Sequence, residues 1–354
     1  MEIIELHLLQ SYPVCCPNRD DLGAAKCAYY GGVRRARISS QCMKRSQRYL
    51  FRELAPEHGC GIRTRLMPGY LSGLLQAREA AGAEALAAAL TGIWCKVDAR
   101  KSEPSAGAPI YFSPAEARTL VEAALAHREA KPKATPAELA KAAAAALPRG
   151  HLLCDAADIA LFGRMVTSTP ELSTEAAAMY THAISTHLCE PELDYFTGAD
   201  DLLPPGTGAG SGGMLEFCSA CYYRYVGLNV DRLRENLGQP KEETLRVLLR
   251  AFVDSALRAS PQARRGSMCA AALPDYVLGL HRRNACPLQL AAAFEDPVLP
   301  DGGFTVPSRE RLRSFFRNMQ HTWNLQADIT AELPDMRADD FTEKLTAPLP
   351  LSNA

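Results

Sequence analysis

Between Asn18 and Arg52 the chain concentrates side chains suited to holding a polyanion. Nine are basic (Arg19, Lys26, Arg34, Arg35, Arg37, Lys44, Arg45, Arg48 and Arg52) and two are acidic (Asp20 and Asp21). The segment carries +7, so the other 319 residues carry −8 of an overall −1. A focused positive patch on a mildly acidic body is what a phosphate-binding groove needs, although the net charge gives no general polyanion signal. The plainer alternative is a solvated basic face.

Part of this charge sits on a helix. Ser39 or Ser40 is a good N-cap, and the pattern predicts a helix to about Leu54. At 100° per residue, Lys44, Arg48, Gln41, Arg52 and Arg45 fall within about a quarter of the circumference. Met43, Leu50 and Leu54 lie on the other side, so the helix is expected to be apolar inward and basic outward. Ser39, Ser40 and Gln41 form the first turn, where free N–H groups and the dipole favour phosphate. Like charges on one helix face repel by a few tenths of a kcal/mol per pair, which a bound polyanion would relieve.

Other chemistry is weaker. The twelve cysteines include a vicinal pair, Cys15-Cys16, and a single C-x-x-C, Cys218 to Cys221. A structural zinc site needs a second matching pair. Met214 to Tyr225 reads as a strand, on which residues three apart face opposite ways. Free thiols and no metal or cofactor are expected. Asp20-Asp21 and Asp200-Asp201 are adjacent carboxylate pairs that could suit Mg²⁺. Neither has a histidine at catalytic spacing, and His182 and His187 would face opposite sides of a strand.

At 354 residues, with 47% hydrophobic and 22% charged, the chain has two to three domains' worth of length and is not disordered throughout. It lacks an apolar run long enough for a membrane span and a basic secretory start, so a cytoplasmic protein is expected. Ile4, Leu6 and Leu8 alternate with Glu5 and His7, predicting a half-buried strand. A long loop, Ser11 to Arg37, follows, with a turn at Gly31-Gly32. Residues 115–147 hold fourteen alanines and read as part of an inserted helical subdomain. Asp158 to Leu172 reads as a loop with a short strand, and His182 to Leu188 as a strand. Two β-like arms flank a Gly/Pro-rich tip around 202–213, predicting a protruding hairpin. Glu243 to Ala259 reads as a helix, Tyr276 to Leu280 as a strand and Ser308 to Trp323 as a helix. Without insertions the order is β-α-β-β-α-β, an α+β, ferredoxin-like or RRM-like domain.

The run Asn18-Arg19-Asp20-Asp21-Leu22-Gly23, then Lys26, then Gly31-Gly32-Val33-Arg34-Arg35-Ala36-Arg37-Ile38-Ser39-Ser40-Gln41 and Lys44-Arg45, resembles the signature of the CasC family, the backbone subunits of type I-E CRISPR Cascade complexes. The resemblance continues in Asp158 to Met165, His182 to His187, Asp194-Tyr195-Phe196-Thr197, Tyr223-Arg224-Tyr225 and Glu235 to Gly238. It covers residues 1–54 and 152–238 well. It implies an RRM-like palm (1–55, completed by 223–354), helical fingers (56–150, returning over 151–189) and a hairpin thumb (190–222).

In function, the resemblance implies a non-enzymatic subunit that polymerises along CRISPR RNA beside other Cascade subunits. Such a subunit grips the guide backbone and leaves bases free to pair with target DNA; no membrane partner is implied. Carried over by position, Arg19, Lys26, Ser39, Ser40, Gln41, Lys44, Arg45 and Arg48 should hold guide phosphates and riboses. Arg164 falls in the same matched motif as Met165, which should wedge beside a displaced base. Tyr195, Phe196 and Thr197 should lie against bases at the thumb root, Tyr195 standing where relatives carry Trp. The first strand has no aromatic residue, so the ordinary RRM stacking platform is absent. Two other readings remain open: a metal-dependent RNA-cleaving backbone subunit using a loop aspartate, and a purely structural oligomer subunit.

Overall fold

The computed structural model describes residues 1–59, 61–98, 105–147, 155–198, 202, 204 and 212–349. Most of the expected glycine-rich tip (203 and 205–211), Asp200-Asp201, Cys60 and Cys154 lie outside the described residues. No helix in the described residues is long and apolar enough to cross a membrane. The chain divides into two compact units, Met1–Leu50 with Met179–Gly227 and Phe252–Ala354, and Phe51–Ala178 with Leu228–Ala251.

The first unit is built on a nine-stranded sheet. In chain order the principal elements that lie wholly or partly in it are β1 (Ile3–Cys15), β2 (Cys27–Tyr30), β3 (Val33–Ile38), α1 (Ser40–Leu54), β4 (Ala183–Ser185), β5 (Glu192–Thr197), β6 (Gly212–Asn229), α2 (Glu242–Arg258), β7 (Tyr276–Arg282), α3 (Thr305–Trp323) and β8 (Ile329–Leu333). The sheet runs β8-β7-β1-β6-β4-β3-β2, and β5 pairs with the outer end of β6. The pairings of β1 with β7, β6 with β4, β4 with β3 and β5 with β6 are antiparallel. Without the β2–β3 hairpin, the order strand, α1, strand, strand, α2, strand predicted from sequence is present as β1, β4, β6 and β7. In space these four strands lie fourth, first, third, second.

β6 separates two cores because successive side chains point to opposite faces. Cys218, Ala220 and Tyr222 face α1, among Tyr12, Ile38 and Met43. Cys221, Tyr223 and Tyr225 face α3, among Leu278, Phe294, Leu312 and Phe316.

β1 departs from the half-buried expectation. Flanked by β7 and β6, it is covered on both faces, and Glu5 and His7 are fully buried. The Glu5 carboxylate is satisfied internally, as burial demands, whereas His7 is bonded through Nδ1 and its buried Nε2 has no hydrogen-bond partner among the described residues. Glu5 accepts from Tyr225 Oη at 2.8 Å, Leu288 N at 2.7 Å and Arg282 Nε at 2.9 Å. His7 Nδ1 bonds Tyr223 Oη at 3.0 Å.

Burial, with Arg282's charge second, pushes the His7 pKa down to about 3. The unfolded chain binds this proton below about pH 6.5 and the folded chain does not until about pH 3. Stability is therefore intact above pH 6.5 and falls as pH drops through that window. At pH 5 the loss from this group is expected to be about 2 kcal/mol. Urea unfolding at pH 7 and pH 5 measures it, and His7→Asn should flatten the difference.

The predicted loop from Ser11 to Arg37 is instead the end of β1, a short turn segment and the β2–β3 hairpin. The Gly31-Gly32 turn has positive φ at both residues. A Cβ on Gly31 would stand 1.6 Å from Glu295 O, so no side chain fits there. Arg35 is fully buried, donating to the carbonyls of Tyr30, Ser185, Phe294 and Glu295. It is a structural cation, and the outward charge of the segment is correspondingly smaller.

The second unit is mostly helical, with helices at Met67–Gln76, Ala83–Thr91, Pro114–Ala130 and Pro136–Ala146. The last two start in capping boxes, Ser113 with Glu116 and Thr135 with Glu138, each followed by proline. Each box satisfies orphan N–H groups at both positions. Leu71, Leu75, Leu86, Leu90, Leu120 and Leu139 share one core. The predicted loop and strand from Asp158 to Leu172 begins instead with a six-residue helix, Ala157–Phe162, every residue of which is buried. Asp158 accepts from Arg52 Nε at 2.6 Å and Gly61 N at 3.0 Å. Arg52 is thus a second member of the basic segment held within the protein.

Candidate nucleic-acid interface

The turn after β1 is stitched along its backbone. Asp20 Oδ1 accepts from Leu22 N and Ala24 N, both at 2.9 Å. Lys26 N donates to Asn18 O at 3.0 Å, and Asn18 Oδ1 accepts from Ser39 N at 2.9 Å. The loop is thereby tied to the start of α1. Arg19 is exposed and Lys26 half-exposed, with backbones fixed by these bonds.

α1 begins as predicted. Ser39 Oγ accepts from Cys42 N at 3.3 Å, the N-cap bond. Ser40 N is not free: it donates to His182 Nδ1 at 3.0 Å. His182 is exposed and sits near Arg37 and Lys26. Burial, then those two charges, lowers its pKa. His187 lies elsewhere, buried and stacked on Phe304 at 3.5 Å.

The rotation of α1 differs from the predicted wheel. Its buried row is Met43, Gln47 and Phe51, while Leu54 is exposed. Gln47 is inward because it receives Tyr180 Oη at 2.9 Å and donates to Phe252 O at 3.1 Å. The basic arc turns with it. Arg45 and Gln41 remain exposed. Lys44 is half-buried over the Tyr180 ring at 5.2 Å, and burial lowers its pKa. Arg48 is buried to 8% exposure. Arg45 and Arg48 both stand over Tyr49, at 4.9 and 5.3 Å. Burial alone would raise the Tyr49 phenol pKa, but these two cations bring it below its usual value.

Loop and helix enclose an open cleft of about 580 Å³ whose lining includes Asn18, Arg19, Asp20, Asp21, Arg45 and Ser46. Gln262 and Ala263 complete it. Arg265 donates to Gln262 Oε1 at 3.0 Å, and Arg264 and Arg19 both pull down a Cys16 thiol that burial raises. Sequence reading passed over this segment. The available signal was the basic pair Arg264-Arg265 between Pro261 and Gly266, which nothing local connects to residues 18–45.

The hairpin of β5 with β6 pairs Tyr195 with Met214 and Leu193 with Glu216. Cross-strand partners share a face. Tyr195, Met214 and Glu216 therefore continue the α1-facing row of Cys218 and Tyr222. Phe196 takes the other face, its ring 2.7 Å from where a Gly213 Cβ would be. All six residues of β5 are exposed. Tyr195, Phe196 and Thr197 cannot all meet one surface, since Phe196 points away from the other two.

Residues 4–348 match the family of CT1975-like proteins. The chain belongs to this family. Among solved structures, this CT1975-like chain is similar to a chain of a "CRISPR RNA-guided surveillance complex, pre-nicking". That match has 26% identity and a TM-score of 0.79, over 92% of this chain and 90% of that one. A chain of a "CRISPR RNA-guided surveillance complex" shares the fold, with 24% identity, a TM-score of 0.72 and coverage of 97% and 99%. No curated protein sequence matches it.

Two expected site residues of the CT1975-like chain lie in the helical unit. Met165 is 85% exposed. Arg164 is engaged internally. Its guanidinium donates to both Glu116 oxygens at 2.7 and 2.6 Å and to Leu172 O at 2.8 Å, and it lies over the Trp94 ring at 4.8 Å. No group of three or more His, Cys, Asp or Glu in the described residues could hold a metal ion.

Proposed function

We propose that this chain is the guide-RNA-holding backbone subunit of a CRISPR surveillance complex of the type I-E Cascade kind. The observation that carries this reading is the open cleft between the stitched loop and α1, where Arg19 and Arg45 line one space with Asp20, whose Oδ1 is taken up by the loop backbone, and Asp21. Similarity to a chain of a CRISPR RNA-guided surveillance complex over 92% of the sequence supports it. The sheet unit acts as an RRM-like palm, the helical unit as fingers and the β5–β6 hairpin as a thumb.

Arg19, Lys26, Gln41 and Arg45 contact phosphates directly. Ser39 and Ser40 present the first turn of α1, while Lys44 and Arg48 add charge from the cleft wall. Tyr195 and Thr197 face the bound strand, and Met165 contacts a base from the fingers. A stacked aromatic is worth about 1–3 kcal/mol per base and tolerates any sequence. Copies assemble side by side along the guide with other subunits, and base pairing with target DNA supplies sequence recognition.

The rival reading is a loop aspartate that cuts RNA; Asp20 Oδ1 accepts two backbone N–H groups, a loop-holding role that accounts for this residue without catalysis. The test is purification from cells carrying a CRISPR array. RNA of discrete length, repeat-derived at its ends, is the expected result, and its absence would overturn the reading. Incubation of that complex with labelled complementary RNA and Mg²⁺ should leave the RNA uncut; periodic cuts lost in Asp20→Ala or Asp21→Ala would favour the nuclease.

A further inference from the structure

We infer that Glu216 is a positioning residue that clasps the cationic loop from the hairpin and sets it for RNA before RNA arrives. The inference rests on the proposed function for its ligand and on separate geometry for the clasp. Glu216 lies on β6, two residues outward from Cys218 in the row that faces α1. Its Oε2 accepts from Ala25 N at 2.8 Å. Ala25 is buried, forms the backbone bridge with Arg19 and precedes Lys26. One carboxylate thus fixes the peptide between the two cations that open onto the loop.

The electrostatics make this placement informative. A carboxylate beside a polyanion site repels phosphate, so by charge alone its removal should tighten RNA binding. As a fixed acceptor for the loop backbone, its removal should loosen Arg19 and Lys26 and weaken binding. The two effects have opposite signs. Glu216→Gln separates them, because the amide oxygen still accepts from Ala25 N while the charge is gone.

The experiment compares the full-length wild type, Glu216→Gln and Glu216→Ala. One measurement is affinity for a labelled, unstructured single-stranded RNA across a salt series. The other is hydrogen exchange at the Ala25 amide without RNA. The clasp predicts slow exchange in wild type and Gln, and fast exchange in Ala. It also predicts RNA binding in the order Gln, at least equal to wild type, then wild type, then Ala weaker by about tenfold. Exchange at Ala25 unchanged in the Ala variant would overturn the clasp. Ala binding as tightly as wild type, or Gln losing as much as Ala, would overturn its role in positioning. Failure of the wild type to bind RNA at all, with the exchange pattern as predicted, would count instead against the proposed function.

Discussion

Replacing Arg19, Lys26 and Arg45 together by Gln is expected to weaken binding of single-stranded RNA on the order of 50-fold at 0.15 M salt. Each phosphate contact with a single strand contributes about 0.7 to the slope of log K against log salt, so three lost contacts should flatten it by about two. Arg19 and Arg45 are exposed and Lys26 is half-exposed, and among the described residues none of the three packs over a tyrosine of the sheet as Lys44 does over Tyr180. The set Lys44, Arg45 and Arg48 suggested by the helix wheel is a less clean probe. Lys44 packs over Tyr180 and Arg48 over Tyr49, so alanine there also removes packing from the helix. Lys44→Met and Arg48→Met keep the stem and should each lower the slope by at most about 0.7. Titration by fluorescence anisotropy, beside an unchanged melting temperature, decides the matter. An unchanged slope in the Arg19, Lys26, Arg45 variant would place RNA elsewhere on the protein.

What the sequence makes legible is whatever depends on spacing along one element. The amphipathic start of α1, the long strand ending in the hairpin, α2 and α3 all carry their period in the chain. Where long-range partners decide the outcome, local pattern misleads. Arg35 looks like surface charge in Val-Arg-Arg-Ala-Arg-Ile, yet four carbonyls from as far away as Glu295 bury it. Gln47 is polar, yet its partners Tyr180 and Phe252 hold it inward, and the buried row of the helix centres on it. The helix Ala157–Phe162 is too short to show a period. Arg264 and Arg265 are remote in sequence from the loop they accompany. Of the candidate site, the loop and first turn were readable from sequence, and the third wall of the cleft was not.

The same logic governs the second large effect, at the centre of the sheet. Arg282→Met should destabilise the sheet unit by about 3–5 kcal/mol, since it leaves the Glu5 carboxylate buried without its cation. Glu5 has no exposed surface, and Arg282 closes on it while also donating to Cys286 O at 2.7 Å. Tyr225 Oη and Leu288 N would still donate to the carboxylate, but two neutral donors do not replace a guanidinium in a dry core. For a unit of this size the loss corresponds to a fall in melting temperature of roughly 10 °C by calorimetry. The double variant Glu5→Gln with Arg282→Met should recover about half of it, because an amide can keep the Tyr225 and Leu288 bonds without burying a charge. A cost below about 1 kcal/mol for Arg282→Met would mean that water reaches Glu5 and that β1 is not sealed between its neighbours. A sealed β1 matters to the cleft as well. The loop that bears Arg19 and Lys26 leaves directly from its end, so a strand that slid in register would carry both cations away from α1.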